Sequence, residues 1–124
     1  MPHILNIESL GIVISLQGAV TGEEIFRLNR LIIEDERFSG WRYQIWDFSD
    51  IETIEISFDQ LRSFVFQDSV ASKKNPHHRI AIITRNAAYS GLDSVFHLLA
   101  AEWGGYASKT FRSVRTARKW VNTP

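Results

Sequence analysis

Apolar and polar residues alternate from His3 to Glu8 (HILNIE) and again from Leu10 to Val20, where Ile12, Ile14 and Leu16 share one face. A period of two marks a half-buried strand, and Ser9-Leu10-Gly11 can turn between the two runs, so the chain opens as an antiparallel hairpin. Gly18 admits a bulge or bend as the second strand ends. The period then changes. Thr21-Gly22-Glu23-Glu24 reads as a capping box, with the Thr21 hydroxyl on an orphan amide and Glu24 reaching back to the Thr21 amide. Ile25, Leu28, Leu31 and Ile32 follow at helical spacing, and the helix is expected to end near Arg37, before Ser39-Gly40.

Tyr43 to Phe48 reads as a central strand, apolar enough to be covered on both faces. Asp50 to Ile56 reads as a loop or short irregular strand. Ser57-Phe58-Asp59-Gln60 is a second capping box, opening a helix to about Lys74 with Leu61, Phe64, Val65 and Val70 inward; Asn75-Pro76 stops it. Arg79 to Thr84 is a short apolar run of the kind found in buried parallel strands. Ser90-Gly91-Leu92-Asp93 opens a third helix with Val95, Phe96, Leu99 and Trp103 inward, closed by Gly104-Gly105. Tyr106 to Phe111 reads as an edge strand. Ser113 caps a last helix with Val114, Ala117, Trp120 and Val121 inward and Arg115, Arg118 and Lys119 outward.

The resulting order is β-β-α-β-α-β-α-β-α. Strands alternating with helices imply parallel neighbours joined by right-handed crossovers. The expected fold class is α/β: a mixed sheet with an N-terminal antiparallel hairpin, then parallel strands with helices packed on the sheet. At 124 residues the chain suits one domain spanning 1–124, long enough for a hydrophobic core.

The chain has no cysteine, which excludes disulfides, thiolate metal sites and a cysteine nucleophile. MPHILNIESL lacks a signal-peptide pattern, and no stretch reaches the roughly 18 apolar residues of a membrane span. A cytoplasmic protein without integral membrane association is the expectation. Net charge is zero, yet residues 1–62 carry 11 acidic and 5 basic side chains and residues 63–124 carry 3 and 9. Segregated charge of this kind either lies on solvated helix faces or makes a self-complementary surface. With symmetry base rates it gives a homodimer as the expected oligomer.

The element order and the stretch IWDFSDIETIEISFDQL resemble the STAS domain, also called SpoIIAA-like. In that family a strand ends in an Asp-Leu-Ser-like corner, and an Asp-Ser-Ser-Gly segment opens the next helix, its second Ser being the phospho-acceptor in anti-sigma-factor antagonists. Here Asp47-Phe48-Ser49 matches the corner, and Glu55-Ile56-Ser57-Phe58 falls where Asp-Ser-Ser-Gly would be. The resemblance therefore makes Ser57 the candidate phospho-acceptor. Ile56 and Phe58 depart from the pattern, and the missing glycine removes a site of close backbone approach. The tail TFRSVRTARKWVN, with Ala117 and Trp120 as an Ala-x-x-Trp motif, is similar to a divergent, uncharacterised branch grouped with lipid-binding Sec14-like domains. The resemblance implies a non-enzymatic regulatory or protein-interaction module with an unidentified protein partner.

The candidate interaction corner is Asp47, Ser49, Asp50, Glu55, Phe58 and Asp59. A hydroxyl at a helix N-cap suits an added phosphate, which brings about two negative charges, although plain capping also explains Ser57. The carboxylates Asp47, Asp50, Glu52, Glu55 and Asp59 match no calcium-loop spacing, so no metal is expected. His77-His78 read as exposed loop histidines, because adjacent residues in an extended segment point opposite ways. Trp41, Arg42 and Trp46 lack the aromatic-basic interleaving that nucleic-acid binding needs. Phe64, Phe96 and Trp103 are the candidate lining of an apolar, lipid-sized pocket between the middle helices, the alternative being a packed core. Phe66 lies off the inward stripe and points to a partner or dimer surface. No Gly-x-Ser-x-Gly, P-loop or Gly-x-Gly-x-x-Gly motif occurs, so neither catalytic residues nor cofactors are assigned.

Overall fold

The computed structural model describes residues 3–85, 96–97 and 106–124. Five strands form one sheet in the order β1-β2-β3-β4-β5. They are β1 (His3–Ile7), β2 (Gly11–Thr21), β3 (Tyr43–Glu55), β4 (Arg79–Ile83) and β5 (Ala107–Phe111). β1 runs antiparallel to β2, and the remaining pairs are parallel. Three helices are described: α1 (Gly22–Glu34), α2 (Phe58–Ala71) and α3 (Val114–Val121). The expected third helix, with its Ser90-Gly91-Leu92-Asp93 cap, Val95, Leu99, Trp103 and Gly104-Gly105, lies outside the described residues, apart from the helical pair Phe96 and His97.

The period-two pattern decides which helix covers which face. Ile12, Ile14, Leu16, Trp46 and Ile80 point to α1 and α2, where they meet Ile25, Leu28, Ile32, Leu61, Phe64 and Val65. Val13, Tyr43, Ile45, Ala81 and Ile83 point the other way and meet Ala117 and Val121 of α3. Each of the three described helices starts where its sequence says. The Oγ of Ser57 accepts from the Gln60 amide at 3.0 Å while the Ser57 N–H donates to Gln60 Oε1 at 2.8 Å. Ser113 Oγ accepts from the Thr116 amide at 3.2 Å. At α1 the box closes differently from expectation. Thr21 Oγ1 accepts from the Glu24 amide and donates to the Glu24 carboxylate, because Thr21 still belongs to β2, in register with Glu55.

Several expectations need correction. Of the two readings of Asp50 to Ile56 the irregular strand holds and the loop does not, and it is no separate short strand: β3 is 13 residues long and runs to Glu55. β4 pairs only with Tyr43–Asp47 of β3, so beyond Asp47 the strand continues as a two-stranded ribbon with Gln17–Thr21 of β2. Register shifts between Ser15 and Gln17 and between Gly18 and Ala19 bend this ribbon. Gly18 adopts a φ of 71° there, a conformation that side chains resist. α1 stops at Glu34 rather than near Arg37: Asp35 turns back to take the Arg37 amide at 2.9 Å, and Phe38–Gly40 forms a 3-10 turn that buries Phe38. Leu31 and Val70, expected inside, are exposed because they fall on the flanks of their helices. His78, expected in an exposed loop, is buried between Phe38 and Tyr106. Trp41 is also buried, with no open face for a ligand.

Candidate functional site

The expected interaction corner divides into two places along β3. Asp47 and Ser49 sit where β3 parts from β4. The Asp47 carboxylate is half-buried and accepts from the Ser49 amide at 2.9 Å and from the Ser49 hydroxyl at 2.5 Å. Ser57, Phe58 and Asp59 lie beyond the ribbon, separated from Asp47 by an extended run on the order of 25 Å at the strand rise per residue. Asp50 and Glu55 are exposed along that ribbon. Among the described residues, no group of three His, Asp or Glu side chains converges to hold a metal.

At the far end of the ribbon the N-termini of α1 and α2 lie side by side. A Cβ on Gly22 would collide with the Gln60 side chain, so glycine is what lets the two caps approach. Ser57 and Phe58 are exposed at this end. Arg62 pairs with Asp59 and lies over the Phe58 ring at 5.4 Å. Four residues further on each time come Phe66 and Val70. Phe58, Phe66 and Val70 are 54%, 60% and 50% exposed, so Phe58, Arg62, Phe66 and Val70 make one outer line along α2 at single-turn spacing. Phe26 and Ile33 of α1 face this line across a shallow groove of about 850 Å³, rimmed by Asp59, Arg62 and Lys74. Phe66 is legible as an outward residue from its spacing, but the line is not, because Val70 fits the inward stripe by spacing and is exposed in space.

Under the ribbon lies a second, apolar cavity of about 90 Å³. Phe48, Ile51, Ile54 and Ile56 form its ribbon wall, Ile25, Leu61 and Phe64 its helical wall, and Phe96 closes one side. The rings of Phe48, Trp46, Phe64 and Phe96 contact one another in sequence at 6.3, 5.9 and 5.6 Å. Phe64 and Phe96 both line this cavity, which lies under the ribbon rather than between the two middle helices as expected, while Trp103 lies outside the described residues.

At the opposite end of α2 the core holds polar groups that the sequence reading did not pick out. Asn29 Nδ2 donates to Asp68 Oδ1 at 2.9 Å and to Gln67 Oε1 at 2.8 Å. The second Asp68 oxygen finds no hydrogen-bond donor among the described residues, and neither the Tyr106 hydroxyl nor His78 Nε2 has a partner there. Burial pushes the Asp68 carboxyl up to about 7, against a smaller opposing effect of the Asn29 amide. Burial likewise pushes His78 down to about 4. The apolar spacing around Asp68 could have revealed it, since it falls on the same helical face as Leu61, Phe64 and Val65.

No described helix is long and apolar enough to cross a membrane. No family model matches the sequence, and no curated protein matches it. Solved structures do match its shape. The anti-sigma factor antagonist SpoIIAA in its unphosphorylated form superposes with a TM-score of 0.64 at 11% identity, over 99% of this chain and 100% of that one. The Bacillus cell fate determinant SpoIIAA in its phosphorylated form gives 0.57 at 13% identity, over 98% and 100%. An uncharacterised DUF3478-family protein with a SpoIIAA-like fold from Shewanella loihica PV-4 gives 0.53 at 15% identity, over 97% and 92%. The fold of this chain is SpoIIAA-like.

Proposed function

We propose that this chain is a non-enzymatic, cytoplasmic regulatory module that docks a partner protein on the outer line of α2, with Ser57 at its head. The observation that carries this reading is the apolar line Phe58–Phe66–Val70, held open to solvent on a helix whose inner face is already packed. Exposed aromatic side chains in a row with a flanking arginine are the composition of binding hot spots rather than of solvated surface. The line starts at an exposed hydroxyl whose cap position leaves helix amides free to receive a phosphate. A phosphate there would add negative charge beside Asp59, so it would compete for Arg62 and change the charge at the edge of the docking line. SpoIIAA, which shares the fold, is an anti-sigma factor antagonist and has been solved in both phosphorylated and unphosphorylated forms, which supports a switch at this cap. Asp47 and Ser49 join this reading as a second contact only if the partner spans the whole ribbon.

The test is binding of a partner isolated from the native host to Ser57→Ala and Ser57→Asp chains. Different affinities support the switch; identical affinities would falsify it while leaving the docking line to be tested by Phe66→Ala.

The cavity under the ribbon favours a second reading, a carrier of a small apolar group. Its volume is below the roughly 150 Å³ of a dry cavity that takes up benzene. It suits the end of an acyl chain rather than a whole lipid. Native mass spectrometry of the protein from its own host checks this. An apolar passenger lost on denaturation supports a carrier, and a bare chain argues for a plain core void.

A further inference from the structure

The two edges of the sheet differ in how they are protected. β5 carries Lys109 on the edge, a residue type that discourages pairing with another sheet. β1 (HILNI) carries no lysine, no acid, no proline and no bulge, and every one of its residues is exposed. Ile4, Leu5 and Ile7 are 59%, 39% and 44% exposed. An uncharged, regular, apolar strand at an open edge is a template for another strand.

The apolar patch continues onto α1. Leu5 and Ile7 stand opposite Ile14 and Ile12, so they share the face that α1 covers. Leu31 of α1 is 56% exposed. On a helical wheel it lies about 160° from Ile33, which faces the α2 groove, so it sits on the flank turned towards β1. Arg27 is one turn before Leu31 and Glu34 one turn after it.

We infer that this chain forms a two-fold dimer in which β1 pairs antiparallel with β1 of a second copy, joining two five-stranded sheets into one. A second copy fits this edge for three reasons. Antiparallel pairing about Leu5 sets Leu5 on Leu5, Ile4 on Asn6 and His3 on Ile7, with no like charges opposed. The same axis brings α1 beside an antiparallel α1, and where Leu31 meets Leu31, the Arg27–Glu23 pair of one copy lies near the Glu34–Arg30 pair of the other, opposite charges in reach of each other and no like pair forced together. Five paired residues alone fall short of the roughly 1,200–2,000 Å² of a stable interface, and the α1 flanks supply the added area. The dimer leaves the α2 line open, because that line is on the other side of α1, so this inference stands apart from the proposed docking site.

The absence of cysteine gives a direct test. Residues opposed across an antiparallel pair have Cβ atoms about 4.5–5.5 Å apart, close to disulfide geometry. Under mild oxidation Leu5→Cys is expected to yield a covalent dimer, and Phe66→Cys, on the far side, is not. In sedimentation equilibrium the natural chain is expected at twice the mass of one chain, and Leu5→Lys, which leaves the buried core untouched, at the mass of one chain with an unchanged circular dichroism spectrum. A natural chain that is monomeric at every concentration overturns the inference. So does a dimer that survives Leu5→Lys, or one that cross-links as fast through position 66 as through position 5.

Discussion

α2 and α3 begin alike and end in opposite roles. Both are capped by a serine whose hydroxyl takes the amide three residues on. α3 has one apolar face, and that face is spent on the sheet: Ala117 and Val121 are buried against Ile45 and Ile83. Its polar side is tied down as well. Arg118 forks onto Glu8 at 2.9 and 2.7 Å, and the Tyr43 hydroxyl donates to the same carboxylate at 2.5 Å. Arg118 is the main reason the Glu8 carboxyl is held below its ordinary range. Arg79 caps the helix end through the Trp120 carbonyl and Thr123. α2 is apolar on both sides. Its inner face packs against Trp46 and Phe96, and its outer face shows Phe58, Phe66 and Val70 to solvent. Folding accounts for every apolar residue of α3, and on α2 it accounts for Leu61, Phe64, Val65 and Ala71 but not for Phe58, Phe66 and Val70. The remainder is the surface on which the proposed docking rests.

The sharpest test of that contrast uses one residue type on one helix. Phe64→Ala removes a ring buried at 7% exposure and is expected to cost about 3–5 kcal/mol in a denaturant titration. The next effect is one of pH. Asp68 rises from 3.8 to about 7 on folding, so its contribution is full below the lower value and is lost as pH rises through the upper one. His78 falls from 6.5 to about 4, so its contribution is full above 6.5 and is lost as pH falls towards 4. Between about 4 and 6.5 the two slopes oppose each other. In Asp68→Asn the thermal midpoint should therefore climb with pH across that window more steeply than in the natural chain; parallel curves would show that Asp68 does not titrate there. Arg118→Ala is expected to cost about 1 kcal/mol, discounted because the pair is partly exposed, and Glu8→Gln should lose a similar amount in the same titration. Phe66→Ala is the smallest in stability, within about 0.5 kcal/mol, and should nonetheless weaken partner binding at least as much as any other change on α2. Measured stability equal to that of Phe64→Ala would erase the distinction between the two faces.

What was legible in the sequence was local. Thr21, Ser57 and Ser113 announce helix starts because a cap is a contact over three residues, and the alternation of strands and helices follows from patterns within single elements. What was hidden depended on distant neighbours. Asp50–Glu55 is acidic enough to read as either a loop or a short irregular strand, and its pairing with Gln17–Thr21 decides for the strand. His78 reads as a surface residue until Phe38 and Tyr106 close over it. Asn29 and Asp68, polar residues on two separate helices, become buried only because they meet each other. Of the proposed site, Ser57 is legible as a helix cap and becomes a candidate phospho-acceptor only through the family resemblance, and Phe66 is legible as an outward residue from its spacing. The line joining them is not, since Val70 fits an inward stripe by spacing and is outside it in space.

The most direct measurement is site-specific photo-cross-linking in the native host, with a photoreactive residue at position 66 on the outer line of α2 or at position 115 on the outer face of α3. The account predicts one discrete protein adduct at 66, none at 115, and a changed yield at 66 when Ser57→Asp is added. Equal adducts at both positions, or none at 66, would contradict it.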